Sequence, residues 1–329
     1  MIVKPIKIGW HQDLSIFASE NFLRAVGDEY GWLGGFDEAG NLRCFLPFTI
    51  IIKKPFFKLV RYRVETIPVV TDFGVEEEKT FLNLVVNYFK IKHGDVIIPA
   101  TTNTIFRTYP DGATAAPYGT YKIDLTQSES ELLAKMSASH RRKVRLAQKN
   151  QVTIKTGPEY AQIAYEMVKD TFKRSHLGFM KYKVFERYLD GLGDQVKIFV
   201  AEQAGEIQAC LVVPFSRFSA YYVYGGSLPE PVQGATNLLH WEAMLYFKQA
   251  EVKFYDFVGV RINPEKGSKQ EGLSQYKERF GGKLCMGYMW KYNLSPVKSL
   301  AYSLAVKLLK GGDIVDCEKH KLSSFNINQ

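Results

Sequence analysis

Hydrophobic and polar positions in the second half of the chain alternate as expected of strands and helices. Two apolar runs around Ala204-Gly205 are typical of a β-hairpin, and later apolar residues recur with helical spacing. The predicted elements are a strand at 152–155, helices at 158–173 and 183–192, strands at 196–203, 206–215 and 219–226, a helix at 237–250 and a strand at 254–259.

The first half shows the same order of elements. Strands are predicted at 31–36, 41–52 and 61–70, followed by a helix at 77–92 and a strand at 95–99. The two halves share almost no sequence identity, so the repeat is one of architecture. Helices that alternate with strands, with an early hairpin in each half, predict an α/β fold with mixed (α+β) sheets. This order resembles the Gcn5-related N-acetyltransferase (GNAT) fold, used twice in tandem.

Two further helices complete the predicted organisation. Thr126-Gln127-Ser128-Glu129 is interpreted as a capping box that begins a basic connector helix at 126–150. Ser-Pro at 295–296 begins a last helix, whose apolar stripe is predicted to pack back on the first domain. The stripe consists of Val297, Leu300, Ala301, Leu304, Ala305 and Leu308. The predicted domains are residues 1–125, completed by the C-terminal helix at 293–312, and residues 151–292, with a polar tail at 313–329.

Composition restricts the class of protein. The 329 residues are 46% hydrophobic, enough for two packed cores, but no apolar run approaches the length of about 20 residues that a membrane-spanning helix needs. No signal-peptide pattern is visible at the N-terminus, and the four cysteines show neither metal-ligand nor disulfide spacing. We therefore expect a cytoplasmic protein without a metal site.

The net charge of +9 is concentrated in three segments. Residues 126–150 carry +4, residues 261–283 carry +3 and residues 291–310 carry +4, which leaves −2 for the rest of the chain. A local excess of this kind favours specific contacts with polyanions over general solubility.

The most informative segment is 272–283, which follows the predicted strand at 254–259. Lys277 and Arg279 lie there between Tyr276 and Phe280, before a double glycine. Loops beyond strand ends commonly carry the chemistry of α/β proteins, and cations there point to a phosphate or a developing oxyanion. The alternative is a solvated helix that ends at the glycines. Tyr276 and Phe280, four residues apart, are predicted to be the scaffold of the lysine.

The connector carries a second cationic group. Arg141, Arg142, Lys143 and Arg145 lie in a stretch of the predicted helix that contains no acid from residue 132 to 150. Arginine suits the planar oxygens of phosphate, so contact with a pyrophosphate or a nucleic-acid backbone is one interpretation. A solvated helix face is the other.

Other motifs are less specific. The segment 233–237 lies where CoA-dependent members of the fold wrap a pyrophosphate, but its single Gly-Ala pair departs from their glycine spacing, and a simple helix cap is the alternative. His240 is interpreted as a packed core residue. Asp72 lies in an Asp-x-Gly sequence, which is ordinary turn chemistry.

Taken in order, these segments resemble the FemABX family of non-ribosomal peptidyltransferases over most of the chain. The matching segments are 123–125, 131–133, 141–147, 176–179, 224–227, 238–243, 254–257, 272–277 and 280–282. Members of the family have two tandem GNAT-like domains and transfer an amino acid from aminoacyl-tRNA to the stem peptide of a peptidoglycan precursor. The resemblance therefore implies an aminoacyltransferase whose partners are aminoacyl-tRNA and a UDP- or lipid-linked muramyl peptide, with no cofactor.

The resemblance also implies roles for individual residues. Lys277 would stabilise charge near the transferred acyl group, and the basic connector would meet phosphates of the tRNA or the precursor. Arg279 and Tyr224 would bind substrate or phosphate. Asp72 is similar to an aspartate that follows a Gly-Pro strand end in the family, although this chain lacks the Gly-Pro. The long coiled-coil arm of some members is absent.

Two alternatives stay open at the level of sequence. One is a CoA-dependent N- or O-acyltransferase of the same fold, acting on a cell-envelope or polysaccharide precursor. The other is a non-catalytic module that binds tRNA or a membrane surface, with Lys298, Lys307 and Lys310 facing the lipid. Peripheral contact with the inner face of the membrane is compatible with either activity.

Overall fold

The computed structural model describes residues 1–53, 57–99, 103–310, 313, 315, 316 and 318, so most of the predicted polar tail lies outside it. The strands are β1 Ile2–Ile6, β2 Glu29–Phe36, β3 Leu42–Lys53, β4 Phe57–Tyr62, β5 Ile67–Pro68, β6 Val96–Pro99, β7 Thr114–Asp124, β8 Thr153–Thr156, β9 Val196–Gln203, β10 Glu206–Pro214, β11 Ser219–Tyr221, β12 Tyr224–Ser227, β13 Phe254–Asp256, β14 Val260–Arg261 and β15 Lys283–Asn293. The helices are α1 Glu20–Val26, α2 Val75–Ile91, α3 Glu129–Lys135, α4 Ala138–Lys149, α5 Ala161–Arg174, α6 Tyr182–Leu192, α7 Ala235–Gln249, α8 Lys269–Glu278 and α9 Pro296–Lys310.

A large mixed sheet forms the centre of the molecule. Within the described residues it has eleven strands, with the main order β1-β2-β3-β4-β6-β15-β7-β13-β11, while β12-β10-β9-β8 form a second sheet. Each half has a core of its own. Helix α2 covers the first half with a buried apolar face that includes Phe81, Val85 and Phe89, and α7 covers the second with Leu238, Leu239 and Phe247.

The large sheet runs through the predicted domain boundary. Strand β7 lies before residue 125, yet it pairs with β13, β14 and β15. Strand β15, in turn, pairs with β6 of the first half. The two halves therefore share a continuous hydrogen-bonded sheet, and the division at residue 125 remains a prediction.

Several local predictions need correction. The run at 219–226 is two strands, β11 and β12, which belong to different sheets, and the predicted strand at 61–70 ends at Tyr62 except for the two residues of β5. The sequence patterns did not predict β1, β7, β15 or α1.

The predicted connector helix at 126–150 is broken. Met136 is extended, with φ −65° and ψ 138°, and Ser137 begins α4 by accepting the backbone N–H of His140 at 3.3 Å. The capping box is formed by Ser128 and Glu131, not by Thr126 and Glu129. Ser137 can satisfy free N–H groups at a helix N-terminus, so a second helix begins favourably after it.

Helix α9 packs on the first half by a face other than the predicted stripe. Tyr302 stacks on Phe57 with ring centroids 5.2 Å apart, and the Lys298 ammonium lies 3.1 Å from a carboxylate oxygen of Asp95. The stripe residues Val297, Leu300 and Leu304 are 81%, 63% and 53% exposed, so the expectation that they pack back on the domain is wrong. The side chains of Ala305, Leu308 and Lys310 lie outside the described residues. No helix in the described ranges is long and apolar enough to cross a membrane.

Candidate active site

Lys277 lies in the last turn of α8, and its side chain reaches the turn that follows β13. Its ammonium donates to the carbonyl oxygens of Val258 and Gly259, the latter at 2.7 Å. Burial lowers the pKa of Lys277 to about 8, and the charge of Asp256 opposes that shift. The predicted cation therefore sits beyond the end of a buried strand, partly removed from water.

The turn that receives Lys277 has an unusual backbone. Val258 and Gly259 both have positive φ, 49° and 57°, and for a β-branched residue such as Val258 this conformation is strained. Asp256 holds the turn because its Oδ1 accepts the backbone N–H of Val258 at 2.8 Å. A strained backbone conformation that surrounding contacts maintain is common at functional sites, where carbonyl or N–H groups must point in a fixed direction. Here it directs two successive carbonyl oxygens at one ammonium.

Asp256 connects Lys277 to a second lysine. It is only 2% exposed, its Oδ1 also accepts from the Thr120 hydroxyl, and its Oδ2 lies 3.6 Å from the Lys122 ammonium. Burial lowers the pKa of Lys122, but Asp256 and then Glu65 raise it more, so the net shift is upward. Lys122 is therefore held charged on the central strand β7.

Glu65 adds a carboxyl group from the first half of the chain. Burial raises its pKa, the charge of Lys122 lowers it, and Asp256 raises it again, which leaves it above the ordinary value. Glu65, Lys122, Asp256 and Lys277 thus form one electrostatic group where the two halves meet. Sequence reasoning missed Glu65. The available signal was an acid inside a run that was otherwise predicted to be a strand.

Two histidines and two aromatic residues support the back of α8. The ring of His140 lies 4.7 Å from that of Phe280, and His240 contacts both Tyr276 and Phe280. Burial lowers the pKa of His240 to about 3 and that of His140 to about 4. Both imidazoles are therefore neutral packing residues, and Tyr276 and Phe280 form the scaffold that the sequence predicted.

The cationic residues of the connector have separate surroundings. The Arg141 guanidinium donates to the carbonyl oxygens of Leu133, Ala134 and Met136 and so caps the end of α3. Arg142 and Arg145 are exposed on α4, while Lys143 is partly buried. Arg279 is exposed, and its guanidinium is 3.3 Å from the side-chain oxygen of Gln275. Arg141 is thus engaged within the fold, whereas Arg142, Arg145 and Arg279 face solvent.

Asp72 belongs to a different group of contacts from Lys277. Its side chain is 71% exposed, and its Oδ1 lies 3.1 Å from the guanidinium of Arg43, which also pairs with Glu77. Asp72 therefore lies in a solvated ion-pair network at the start of α2.

Tyr224 lies in an aromatic cluster between the two halves. Its ring contacts Phe179 and Tyr188, with centroids 5.2 and 5.8 Å apart. Burial raises its pKa to about 12, although the charges of Arg63 and Arg61 oppose that shift. The cations that act on its hydroxyl are therefore those of Arg61 in β4 and Arg63 just after it.

Metal ligands and thiols are the other groups that could form a site. Within the residues that the structure describes, no group of three or more His, Cys, Asp and Glu side chains could hold a metal ion. Cys44 and Cys210 are buried free thiols, and burial raises the pKa of each. The charged group around Lys277 therefore remains the strongest candidate site.

The chain is similar to a family model in sequence and to known structures in fold. Residues 134–278 match the family model described as Acetyltransferase (GNAT) domain. The structure of FemX superposes with a TM-score of 0.64 at 16% identity, covering 89% of this chain and 94% of FemX. No curated protein gives a significant match to the sequence.

Two further structures show the same likeness. The C-terminal domain of a putative lysylphosphatidylglycerol synthetase from Agrobacterium fabrum gives a TM-score of 0.55 at 16% identity and covers 91% of this chain and 94% of that domain. A tandem GNAT protein from the clavulanic acid biosynthesis pathway gives 0.50 at 12% identity, with 84% and 87% covered. At these identities the likeness is one of fold. The fold expected from the sequence is confirmed: this chain has a mixed α/β fold of the tandem GNAT-like kind, and that fold is similar to the fold of FemX.

Proposed function

We propose that this protein is an aminoacyltransferase that moves an amino acid from aminoacyl-tRNA to an amine of a peptidoglycan precursor, a UDP- or lipid-linked muramyl peptide. The observation that carries the proposal is the position of Lys277, a partly buried ammonium held on the strained turn after β13. A cation fixed in this way can stabilise an oxyanion without having to reorganise during the reaction.

The reaction needs little covalent chemistry from the protein. The acceptor amine attacks the carbonyl carbon of the aminoacyl ester, and a tetrahedral intermediate with a negative oxygen forms. Lys277 stabilises that oxygen, and the ribose 3′ oxygen leaves as the C–O bond breaks. Orientation of an activated ester and an amine supplies much of the rate.

A proton must leave the attacking amine during this sequence. Glu65 is suited to accept it, because burial raises the pKa of its carboxyl group above the ordinary value. The Lys122 ammonium lies 3.6 Å from Asp256, and its charge lowers the pKa of Glu65 and so favours the ionised form that can accept a proton. The protonated Glu65 then gives this proton to the leaving ribose oxygen, so the carboxylate is restored and the reaction releases no net proton.

Names of the structural relatives support a cell-envelope role. FemX and a putative lysylphosphatidylglycerol synthetase both have this fold. The second name denotes the synthesis of an aminoacylated lipid. Both are consistent with an acyl group that is an amino acid and an acceptor that belongs to the envelope.

The N-terminus of α7 favours a tRNA donor over CoA. Gly234 precedes this helix with φ +89°, and a Cβ at that position would lie 2.1 Å from the Lys143 carbonyl oxygen of α4. Ala235 and Asn237, in the first turn, are buried. A CoA pyrophosphate needs open backbone N–H groups at such a helix end, and α4 packs against this one. The residues present therefore fit CoA poorly.

A mass assay tests the proposal. The protein is incubated with mixed aminoacyl-tRNA and a UDP-linked muramyl peptide, and the product is weighed by mass spectrometry. We expect an increase of one amino-acid residue, whose rate of formation Lys277→Met reduces strongly and Lys266→Met, at an exposed control lysine, leaves intact. A mass shift with acyl-CoA alone, or micromolar binding of acetyl-CoA in calorimetry, would favour the CoA-dependent alternative and overturn the donor assignment.

Contact with an anionic membrane surface is a second candidate function. It is favoured by the exposed apolar residues Val297, Leu300 and Leu304 on α9, beside the exposed Lys307. Flotation with vesicles that contain phosphatidylglycerol tests it. We expect binding that Leu300→Ser weakens, and equal recovery of both proteins would contradict this role.

A further inference from the structure

The described residues that follow α9 form a short helical turn. Val315, Asp316 and Glu318 have a helical backbone, and Oδ1 of Asp313 accepts the backbone N–H of Asp316 at 3.0 Å, as an N-cap residue does. Val315 and Glu318 are three residues apart, so they lie on the same face of the helical turn. Asp313, Val315, Asp316 and Glu318 are called the C-terminal turn below.

One apolar side chain anchors the C-terminal turn to the large sheet. Val315 is 1% exposed, and it packs in a cluster with Ile105, Ala116, Tyr118 and Met289. Ala116 of β7 is opposite Met289 of β15 in the antiparallel register, and Tyr118 is the next residue of β7 on the same face. The C-terminal turn therefore covers one face of the β7–β15 pair.

Three carboxylates hold the C-terminal turn over two cations of the sheet. The Lys291 ammonium, on β15, donates to Asp313 at 2.7 Å and also to Asp316. The Nε of Arg261, on β14, lies 2.6 Å from Oε1 of Glu318. Within the described part of the chain, every ion pair of Lys291 and Arg261 is with this turn. Its release would therefore leave both cations without these carboxylates.

The apolar contacts of the C-terminal turn adjoin two members of the candidate site. The backbone of Ile105 forms a hydrogen bond with Glu65. Tyr118 lies two residues before Thr120, on the same face of β7, and the Thr120 hydroxyl donates to Asp256. Two residues span about 7 Å along a strand. The C-terminal turn is therefore next to the carboxyl groups of the site.

The ion pair with Arg261 adjoins the third member. Arg261 lies two residues after Gly259, whose carbonyl oxygen accepts from the Lys277 ammonium at 2.7 Å. Arg261 is also opposite Tyr118 in the register of β14 and β7. Glu318 thus fixes the C-terminal turn beside the strand that follows the strained turn of the site.

The contacts that hold the C-terminal turn can be exchanged for water or another partner. Val315 is the apolar residue among its four members, and the Asp316 side chain is 45% exposed, so solvent and salt weaken its ion pair. In the sequence, Gly311-Gly312 separate the turn from α9, and glycine permits the widest range of backbone conformations. Segments with few buried apolar contacts open at a low cost in free energy.

We propose that the C-terminal turn is an autoinhibitory element of this protein. In its docked position it closes the side of the candidate site that Ile105, Tyr118 and Arg261 bound, and its release opens that side. The population of the released form then sets how often a substrate enters. The proposal rests on the proposed function for the reaction that is inhibited, whereas closure of the site does not depend on which reaction that is.

Hydrogen–deuterium exchange of the full-length protein tests the docking. Glu318→Gln removes one ion pair and Val315→Ser removes the apolar anchor, while Glu230→Gln, at an exposed acid, is the matched control. We expect the peptide that contains residues 313–318 to exchange at least about fivefold faster in the first two variants, with β9 unchanged. Equal exchange in all four proteins overturns the proposal, because the contacts described would not hold the turn.

Access to the site is measured by acetylation of Lys122 with a water-soluble N-hydroxysuccinimide ester, followed by peptide mass mapping. We expect Glu318→Gln and Val315→Ser to raise the rate at Lys122 at least about threefold. Lys266 is exposed and serves as the internal control in the same digest, where its rate should not change. Unchanged acetylation of Lys122 in a variant whose turn exchanges faster overturns closure of the site.

Transfer rates separate this inference from the proposed function. We expect Glu318→Gln and Val315→Ser to raise kcat/KM for the acceptor at least about threefold, by the increase in the released form. Faster acetylation of Lys122 with an unchanged or lower kcat/KM overturns autoinhibition. Faster acetylation without transfer by any of the proteins, the original chain included, supports closure of the site and rejects the proposed function.

Discussion

Asp256 and Lys277 are linked through the backbone that lies between their side chains. The Asp256 carboxylate accepts the N–H of Val258 at 2.8 Å, and the Lys277 ammonium donates to the Val258 carbonyl oxygen and, at 2.7 Å, to that of Gly259. Asp256 is the main charge that opposes the effect of burial on the pKa of Lys277. The acid thus fixes both the position and the charge state of the lysine.

Activity should decline as the pH rises through about 8, because the protonated form of Lys277 is the one that stabilises the oxyanion and burial lowers its pKa to about 8. Lys277→Arg keeps the charge at all accessible pH values, so this decline should vanish in that variant. Lys277→Met should lose about 100- to 1,000-fold in kcat, as expected when an oxyanion-stabilising donor is removed.

Initial rates from pH 6 to 9.5 measure this profile, with spontaneous hydrolysis of the aminoacyl ester subtracted at each pH. Lys266→Met serves as the control, since Lys266 is exposed. A profile that keeps the same alkaline decline in Lys277→Arg would show that another group is responsible.

Replacement of Asp256 by asparagine should move the same alkaline decline to lower pH. Asp256 raises the pKa of Lys277, so its loss leaves the effect of burial unopposed and the lysine loses its proton earlier. The variant should also be less stable by about 1–3 kcal/mol, because a buried hydrogen-bonded carboxylate that holds a strained turn is removed.

The pH profile and thermal unfolding together test this prediction, with Asp194→Asn, an exposed acid, as the control. An alkaline decline that stays in place in Asp256→Asn would mean that the carboxylate does not act on Lys277.

In Glu65→Gln, activity should no longer rise with pH in the acidic range. The ionised carboxylate is the form that accepts a proton, so activity should rise with pH through the raised pKa of Glu65. Glu65→Gln should be slow at all pH values, with kcat reduced about 100-fold. Glu65→Asp should restore part of the rate, which a purely structural role would not predict. Equal rates for Glu65→Gln and the original chain would reject the base.

The sequence correctly predicts those helices and strands that are specified by the spacing of neighbouring apolar residues. The helix expected at 237–250 is Ala235–Gln249, and the strand expected at 196–203 has those bounds, because their apolar spacing decides between helix and strand. Lys277 could be chosen from its position after a strand. In contrast, β7 reads Thr-Ala-Ala-Pro-Tyr-Gly and has no strand pattern at its start, since its pairing with β15 stabilises it.

Glu65 and Arg63 show why the rest of the site was not predictable. Their surroundings depend on how the end of β4 approaches β7, β12 and α6, which are distant in sequence. Nothing local distinguishes a buried acid beside Lys122 from a solvated one. Similarly, Arg141 and Arg145 belong to one cationic stretch in the sequence, and only the break at Met136-Ser137 places the end of α3 where Arg141 caps it.

That difference predicts two classes of arginine in the connector. Arg141 caps the end of α3 through the carbonyl oxygens of Leu133, Ala134 and Met136. Arg141→Ala should therefore reduce the free energy of unfolding by about 1–3 kcal/mol, because three helix carbonyls lose a charged donor. Arg142→Ala and Arg145→Ala, at exposed positions, should change stability by no more than about 0.5 kcal/mol.

Binding of tRNA should depend on Arg142 and Arg145 and not on Arg141, which is the reverse of the expected effects on stability. If Arg142 and Arg145 each contact one phosphate, each alanine variant should reduce the slope of log K against log salt by about 0.7 to 1. Arg141→Ala should leave the slope unchanged once its fraction folded is taken into account. Filter binding of aminoacyl-tRNA from 50 to 300 mM salt, paired with thermal unfolding of each variant, measures both effects. A reduced slope for Arg141→Ala together with normal stability would mean that Arg141 contacts phosphate directly and that its cap on α3 is dispensable.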